Sequence, residues 1–201
     1  MKTTNAIILT LLLSTSVLFG QSTWKADKVH SRVNFTVNHM VISEVTGRFN
    51  DFDATLVASK DDFSDAKIEA TIKTGTIDTD NEGRDKHLRS DDFFNSEKFP
   101  NMTFKSTRIE RTGNGTYKIT GDLTIRDVTK PVVLETKFNG IVNDPWGNVR
   151  AGFKATTTID RFEFGVKWNK TIESGGLIVG RNVDVTLLFE FNKQNPEGKS
   201  N

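Results

Sequence analysis

The stretch Tyr117-Lys118-Ile119-Thr120-Gly121-Asp122-Leu123-Thr124-Ile125-Arg126 decides the fold. Residues 117, 119, 121, 123 and 125 are apolar or small, and the residues between them are polar or charged. A period of two places one set on each face of a β-strand, and a strand wetted on one face belongs to an antiparallel sheet. Just upstream, Thr112-Gly113-Asn114-Gly115 reads as a hairpin loop. Just downstream, residues 127–131 make a short connection, with Pro131 at a strand start where its missing N–H does least harm.

The same period recurs outward in both directions. Val29, Ser31, Val33, Phe35 and Val37 form one set; Ile68, Ala70 and Ile72 another; Met102 and Phe104 a third. Val132, Leu134, Thr136 and Phe138 follow the central stretch, then Val149, Ala151, Phe153, Ala155, Thr157 and Ile159, and last Val183, Val185, Leu187, Phe189 and Phe191. The alternation slips between Phe49 and Phe52, which predicts a bulge in a long second strand. The pattern predicts strands over 29–37, 45–57, 67–77, 101–111, 115–126, 131–142, 147–161 and 182–192. One segment breaks it: Asp80 or Asn81 can cap a short helix over 82–90, and a further helical turn fits 39–43. Eight strands, each apolar on one side, hide that side in an all-β, eight-stranded antiparallel barrel or in a two-sheet sandwich. Large side chains facing small ones (Gly121, Ala151, Ala155) fill such an interior; small ones facing each other leave it hollow. The pattern leaves both open.

Composition narrows the chemistry. The chain has 201 residues, with 27 Lys+Arg, 26 Asp+Glu and no cysteine. Lys2 is the one charge in residues 1–20, so the remainder holds 26 basic and 26 acidic side chains. A neutral chain has no bulk electrostatic pull toward nucleic acid. Absent cysteines exclude disulfides, thiol catalysis and thiolate metal sites. Residues 1–21 read as a signal peptide: Lys2, then an apolar run from Ala6 to Leu13 and on to Phe19, then Gly20, Gln21 and Ser22. That run is shorter than the roughly 20 residues a membrane span needs. A periplasmic or secreted domain over 22–194, with no membrane span after signal removal, and a flexible tail over 195–201 are expected.

Several segments carry a family likeness. They are His30-Ser31-Arg32-Val33-Asn34-Phe35 with His39-Met40, Gly47-Arg48-Phe49, and Arg84-Asp85-Lys86-His87-Leu88-Arg89-Ser90-Asp91-Asp92-Phe93-Phe94. Gly121-Asp122-Leu123-Thr124-Ile125-Arg126 with Lys130-Pro131, Ile159-Asp160-Arg161 with Phe164-Gly165, and Gly175-Gly176 complete them. Over about residues 24–192 the chain resembles the YceI-like family, bacterial lipid-binding proteins with a lipocalin-like barrel. Asp127 stands where the family usually has glycine. The resemblance implies a lipophilic tunnel, a polyisoprenoid or similar long-chain ligand, and no cofactor.

The inward faces then become candidate lipid-binding residues: Val33, Phe35, Val37, Phe49, Ile72, Met102, Phe104, Leu123, Ile125, Phe138 and Phe153. Ten buried methylenes gross about 8 kcal/mol, close to micromolar affinity before binding costs. For any one of these residues, ordinary core is the simpler role. Arg84, His87, Leu88, Phe93 and Phe94 are expected to close one end, with Arg84 or His87 meeting a polar head group, and Trp168 to stand near the opening. The three histidines, His30, His39 and His87, match no chelating motif, so no metal is expected. No nucleophile elbow or phosphate loop is present, and no catalytic residue is expected. The alternatives are an enzyme pairing His87 with Asp85 or Asp160, and a filled barrel acting through protein contacts. A homodimer is left open.

Overall fold

The computed structural model describes residues 20–171 and 177–195. The expected signal peptide lies outside them except for Gly20 and Gln21, as does the expected tail except for Asn195; Gly175 and Gly176 also lie outside. The strands are β1 (Ser22–Ala26), β2 (Arg32–His39), β3 (Ser43–Phe49), β4 (Phe52–Ala58), β5 (Lys67–Lys73), β6 (Ile77–Asp78), β7 (Asn101–Gly113), β8 (Thr116–Ile125), β9 (Val128–Asn143), β10 (Val149–Asp160) and β11 (Val179–Lys193). Helix α1 covers Glu82–Arg89. No helix among the described residues is long and apolar enough to cross a membrane.

All pairings are antiparallel, and the circle β1-β4-β5-β7-β8-β9-β10-β11 closes through β1 on β11. Strands β1 and β2 lie end to end along β11: Trp24 faces Lys193, while Val33 faces Leu187. Strands β3 and β4 likewise continue one another, as do β5 and β6. The three interruptions stand side by side. Lys73 donates its backbone N–H to Asp51 O at 2.9 Å, and Asn50 donates to Thr76 O at 3.2 Å. Counted by position around the wall, the barrel is therefore eight-stranded. The slip between Phe49 and Phe52 is a break at Asn50 and Asp51 rather than a bulge. It resets the phase so that both rings face inward, 6% and 3% exposed.

Two further expectations are corrected. Strand β1 precedes the first predicted strand and buries Trp24 to 3% exposure. Residues 39–43 form no helical turn. They are the tip of the β2–β3 hairpin, where Met40 and Val41 take positive φ of 51° and 67°. Helix α1 starts as predicted, with the Asn81 side chain accepting the Arg84 N–H at 2.9 Å.

Two glycines are spaces rather than hinges. A Cβ on Gly121 would stand 2.4 Å from the Phe104 ring and 2.6 Å from the Lys105 carbonyl oxygen. A Cβ on Gly47 would stand 2.3 Å from the Phe35 ring. The large-against-small pattern on the inner face is thus filled at these points by phenyl rings lying over the opposite strand's bare backbone.

Candidate functional site

The barrel is not filled throughout. A cavity of about 240 Å³ runs inside it, from Phe63, Ala66 and Tyr117 at one end to Leu88, Phe93 and Phe94 at the other. Tyr117 and Ile125 both line it on β8, about 27 Å apart along a strand rising about 3.4 Å per residue. With barrel strands inclined by about 40°, that is about 20 Å along the axis. The volume equals about eight waters at about 30 Å³ each, just below the roughly 300–1,000 Å³ usual for small-molecule pockets. The shape is long and thin, and the wall is almost wholly apolar.

The alternation builds the wall. Strand β2 supplies Val33, Phe35 and Val37; β3 supplies Phe49; β5 supplies Ile72. Met102 and Phe104 come from β7, Leu123 and Ile125 from β8, and Phe153 from β10, with Leu88, Phe93 and Phe94 across the α1 end. Four of the expected residues stand elsewhere. Phe138 lies in the floor beyond the cavity's end, 5.2 Å from Phe63 and 5.1 Å from Phe153 between ring centroids. Trp168 covers Phe93 from outside at 5.2 Å. Arg84 donates through Nε and Nη2 to the Oγ1 and carbonyl O of Thr79, both at 2.7 Å. His87 holds Asp92 through Nε2 at 2.8 Å on the outer side, its ring edge-on to Phe93 and Trp168. Neither Arg84 nor His87 faces the cavity, because both are spent on tying the 79–94 segment together. Residues missed from sequence include Phe63, Ala66 and Tyr117. Phe63 sits in a loop outside any alternating run, so periodicity gave no signal for it.

The floor, at the β1 end, is aromatic. The Phe63 ring lies 5.3 Å from Trp24, 5.2 Å from Phe138 and 5.2 Å from Phe153, and is 4% exposed. Its φ is +57°, a region that costs a residue with a Cβ about 1 kcal/mol or more. The loop is tied from several sides. Phe63 N–H donates to Lys60 O at 3.1 Å, and Ala66 N–H donates to Phe63 O at 3.1 Å. Asp65 accepts the N–H groups of Ser59 and Lys60. The Tyr117 hydroxyl donates to Asp62 O at 2.6 Å. Burial, with the Asp62 charge nearby, raises that phenol's pKa.

The roof, at the α1 end, is held by arginines. Arg161, 5% exposed, donates to Gly180 O (2.8 Å), Val166 O (2.8 Å), Trp168 O (2.9 Å) and Val179 O (3.0 Å). Burial pushes its pKa down, and the Asp160 charge opposes that. It borders the cavity, but its donors are already engaged. Arg126, with φ +57°, donates to the carbonyls of Asp91 and Phe93, both at 3.1 Å, and to the Asp91 carboxylate at 2.9 Å. The left-handed position of that turn is thus Arg126 and not Asp127. Asp85, buried, accepts from Thr79 N–H at 2.9 Å and Thr79 Oγ1 at 2.5 Å. Asp160 accepts from Arg181 and from Phe162 N–H. Neither acid is within the imagined pair with His87, whose partner is Asp92.

Among the described residues, one group of metal-ligand types does converge: Asp27, His30 and Glu190, brought together by β11. Sequence spacing hid it, since 160 residues separate His30 from Glu190. Arg150 stands in the same place, donating to Asp27 at 2.8 Å, to Asp144 at 2.7 Å and to Glu190. The guanidinium already supplies the positive charge these carboxylates need, so the donor set does not fit a cation.

A closed antiparallel barrel of eight positions, surrounding an apolar cavity and capped by one helix, belongs to the class of lipocalin-like barrels. Among these, the chain belongs to the YceI-like domain family, whose pattern it matches over residues 24–191. It is 40% identical over 193 residues to a "UPF0312 protein" of Shewanella denitrificans, covering 93% of this chain and 98% of that one. A crystal structure of the Campylobacter jejuni YCEI protein is similar at TM-score 0.68 and 32% identity, covering 79% of this chain and 90% of that one. A polyisoprenoid binding domain from Saccharophagus degradans shares the fold at TM-score 0.64 and 13% identity, over 85% of this chain and 98% of that one.

Proposed function

We propose that this protein is an exported barrel that holds a long-chain apolar or amphipathic ligand, a polyisoprenoid, isoprenoid quinone or fatty-acid-like lipid, for storage or transport. The observation that carries this reading is the continuous cavity from Phe63 to Phe94, narrow, about as long as the barrel, and apolar on nearly every side. Each methylene moved from water into such a wall is worth about 0.8 kcal/mol, so a chain alone can supply the affinity. The relationship to a polyisoprenoid binding domain supports the ligand class. Residues 1–21 support delivery to the periplasm or beyond.

Binding rather than catalysis is the reading the site favours. The His87–Asp92 pair is the nearest thing to an acid–base couple at the roof, and it lies outside the cavity wall. A general base must reach the proton it removes. Native mass spectrometry of the purified protein, with extraction and identification of whatever lipid comes with it, tests the proposal. A bound long-chain species is the expected result. A barrel that arrives empty and takes up neither polyprenyl compounds nor quinones would end the carrier reading.

A further inference from the structure

The β4–β5 loop does more than connect its strands. It must carry the chain from Ala58 to Lys67, and nothing in that link calls for an aromatic residue with left-handed backbone. Yet Phe63 is held at φ +57° by ties to Lys60 and Ala66, while its neighbour Asp62 is pinned by the Tyr117 hydroxyl. Backbone strain of this kind persists only where the surroundings over-determine it, and an observed outlier is a reason to ask what it secures. Here it secures a ring that closes the cavity against Trp24, Phe138 and Phe153 and also forms its end wall.

We propose that Phe63 is the stop that sets how long a chain the cavity accepts. The inference rests on the lipid-binding reading above. A ligand tail enters from the α1 end and advances until its terminal carbon meets the Phe63 ring. Up to that point each added methylene is buried and tightens binding about fourfold. Beyond it, further carbons stay outside or force the tail to fold back, and the gain per carbon vanishes. Affinity plotted against chain length therefore has a break, and the ring fixes its place.

The test uses the full mature chain and a homologous series of straight-chain primary alcohols, titrated by displacement of a fluorescent fatty-acid probe. Wild-type protein should show affinity rising about fourfold per carbon and then levelling. Phe63→Ala should keep the slope and move the break several carbons longer. Phe63→Gly should move it equally, and it guards against misfolding because glycine adopts the left-handed backbone without cost. A folded Phe63→Gly protein with its break unmoved, or one that merely binds every member more weakly, overturns the stop. Wild-type protein that binds no member of the series and yields no lipid on extraction overturns the binding reading itself, and the stop with it.

Discussion

The two ends of the barrel are closed by different chemistry. At the floor, Trp24, Phe63, Phe138 and Phe153 meet ring to ring at 5.1–5.3 Å. At the roof, Leu88, Phe93 and Phe94 also cover the cavity, and Trp168 packs on Phe93 at 5.2 Å. There the segments are fixed by hydrogen bonds from Arg126 and Arg161 to backbone carbonyls. Interlocked rings in a close-packed core give way together or not at all. Hydrogen bonds to carbonyls can be exchanged one by one for bonds to water, at a small net cost. The proposed carrier role asks for this difference: a floor that stays shut and a roof that opens locally to admit a chain.

The largest effect that would sharpen this contrast is expected at the floor. Trp24→Ala removes a side chain 3% exposed from beneath Phe63, and should cost about 3–5 kcal/mol in a urea titration. Its loss should be global, accelerating amide exchange in every strand alike. A smaller effect is expected at the roof. Arg161→Met keeps the bulk but leaves the carbonyls of Gly180, Val166 and Trp168 to water, while Val179 O keeps the Asn169 side-chain N–H at 2.7 Å; the substitution should cost about 1–3 kcal/mol in all. Here the faster exchange should be confined to residues 161–168 and 179–181. Should Arg161→Met instead raise exchange at Phe63 and Trp24 as much as at the roof, the two ends would be one cooperative unit and the contrast would fail.

Much of the barrel, and much less of its ends, was legible in the sequence. A regular strand repeats its inside–outside rule at every second residue, so Val33, Phe35, Met102, Phe104, Leu123 and Ile125 could be assigned to the wall by counting. The ends obey no such rule. Phe63 reaches the interior because a loop folds over the barrel mouth, and Arg84 and His87 leave it because Thr79 and Asp92 claim their polar atoms. Those partners are close in sequence, but only the chain's path shows which of many nearby polar groups each will take. The Asp27–Arg150–Glu190 group was illegible for a different reason. Its members come from β11, β10 and the turn after β1, joined by strand pairing alone.

That group supplies the smallest effect, and one that appears only in acid. It braces the outer wall near the floor. Asp144 loses solvent, which alone would raise its pKa. Hydrogen bonds from the Asn148 side chain, Arg150 and the N–H groups of Asn148 and Trp146 overcome this and bring it from 3.8 down to about 2. Burial likewise works against ionised Asp27, yet His30 and Arg150 hold its pKa below the ordinary carboxylate range. A depressed carboxylate stabilises the fold fully above its unfolded value and loses that contribution as pH falls toward its folded value. Stability should therefore be insensitive to these groups from neutral pH down to about 4, and then decline toward about 2. Thermal melts across that range, comparing the wild type with Asp144→Asn, should show a shallower acid decline in the variant, whose amide does not titrate there. Because Asp144 lies beyond β9 and braces the wall rather than the roof, the acid-sensitive exchange should gather in β10, β11 and the floor loop. Acid melting that begins at α1 instead would mean the roof, not this brace, is the first thing protons undo.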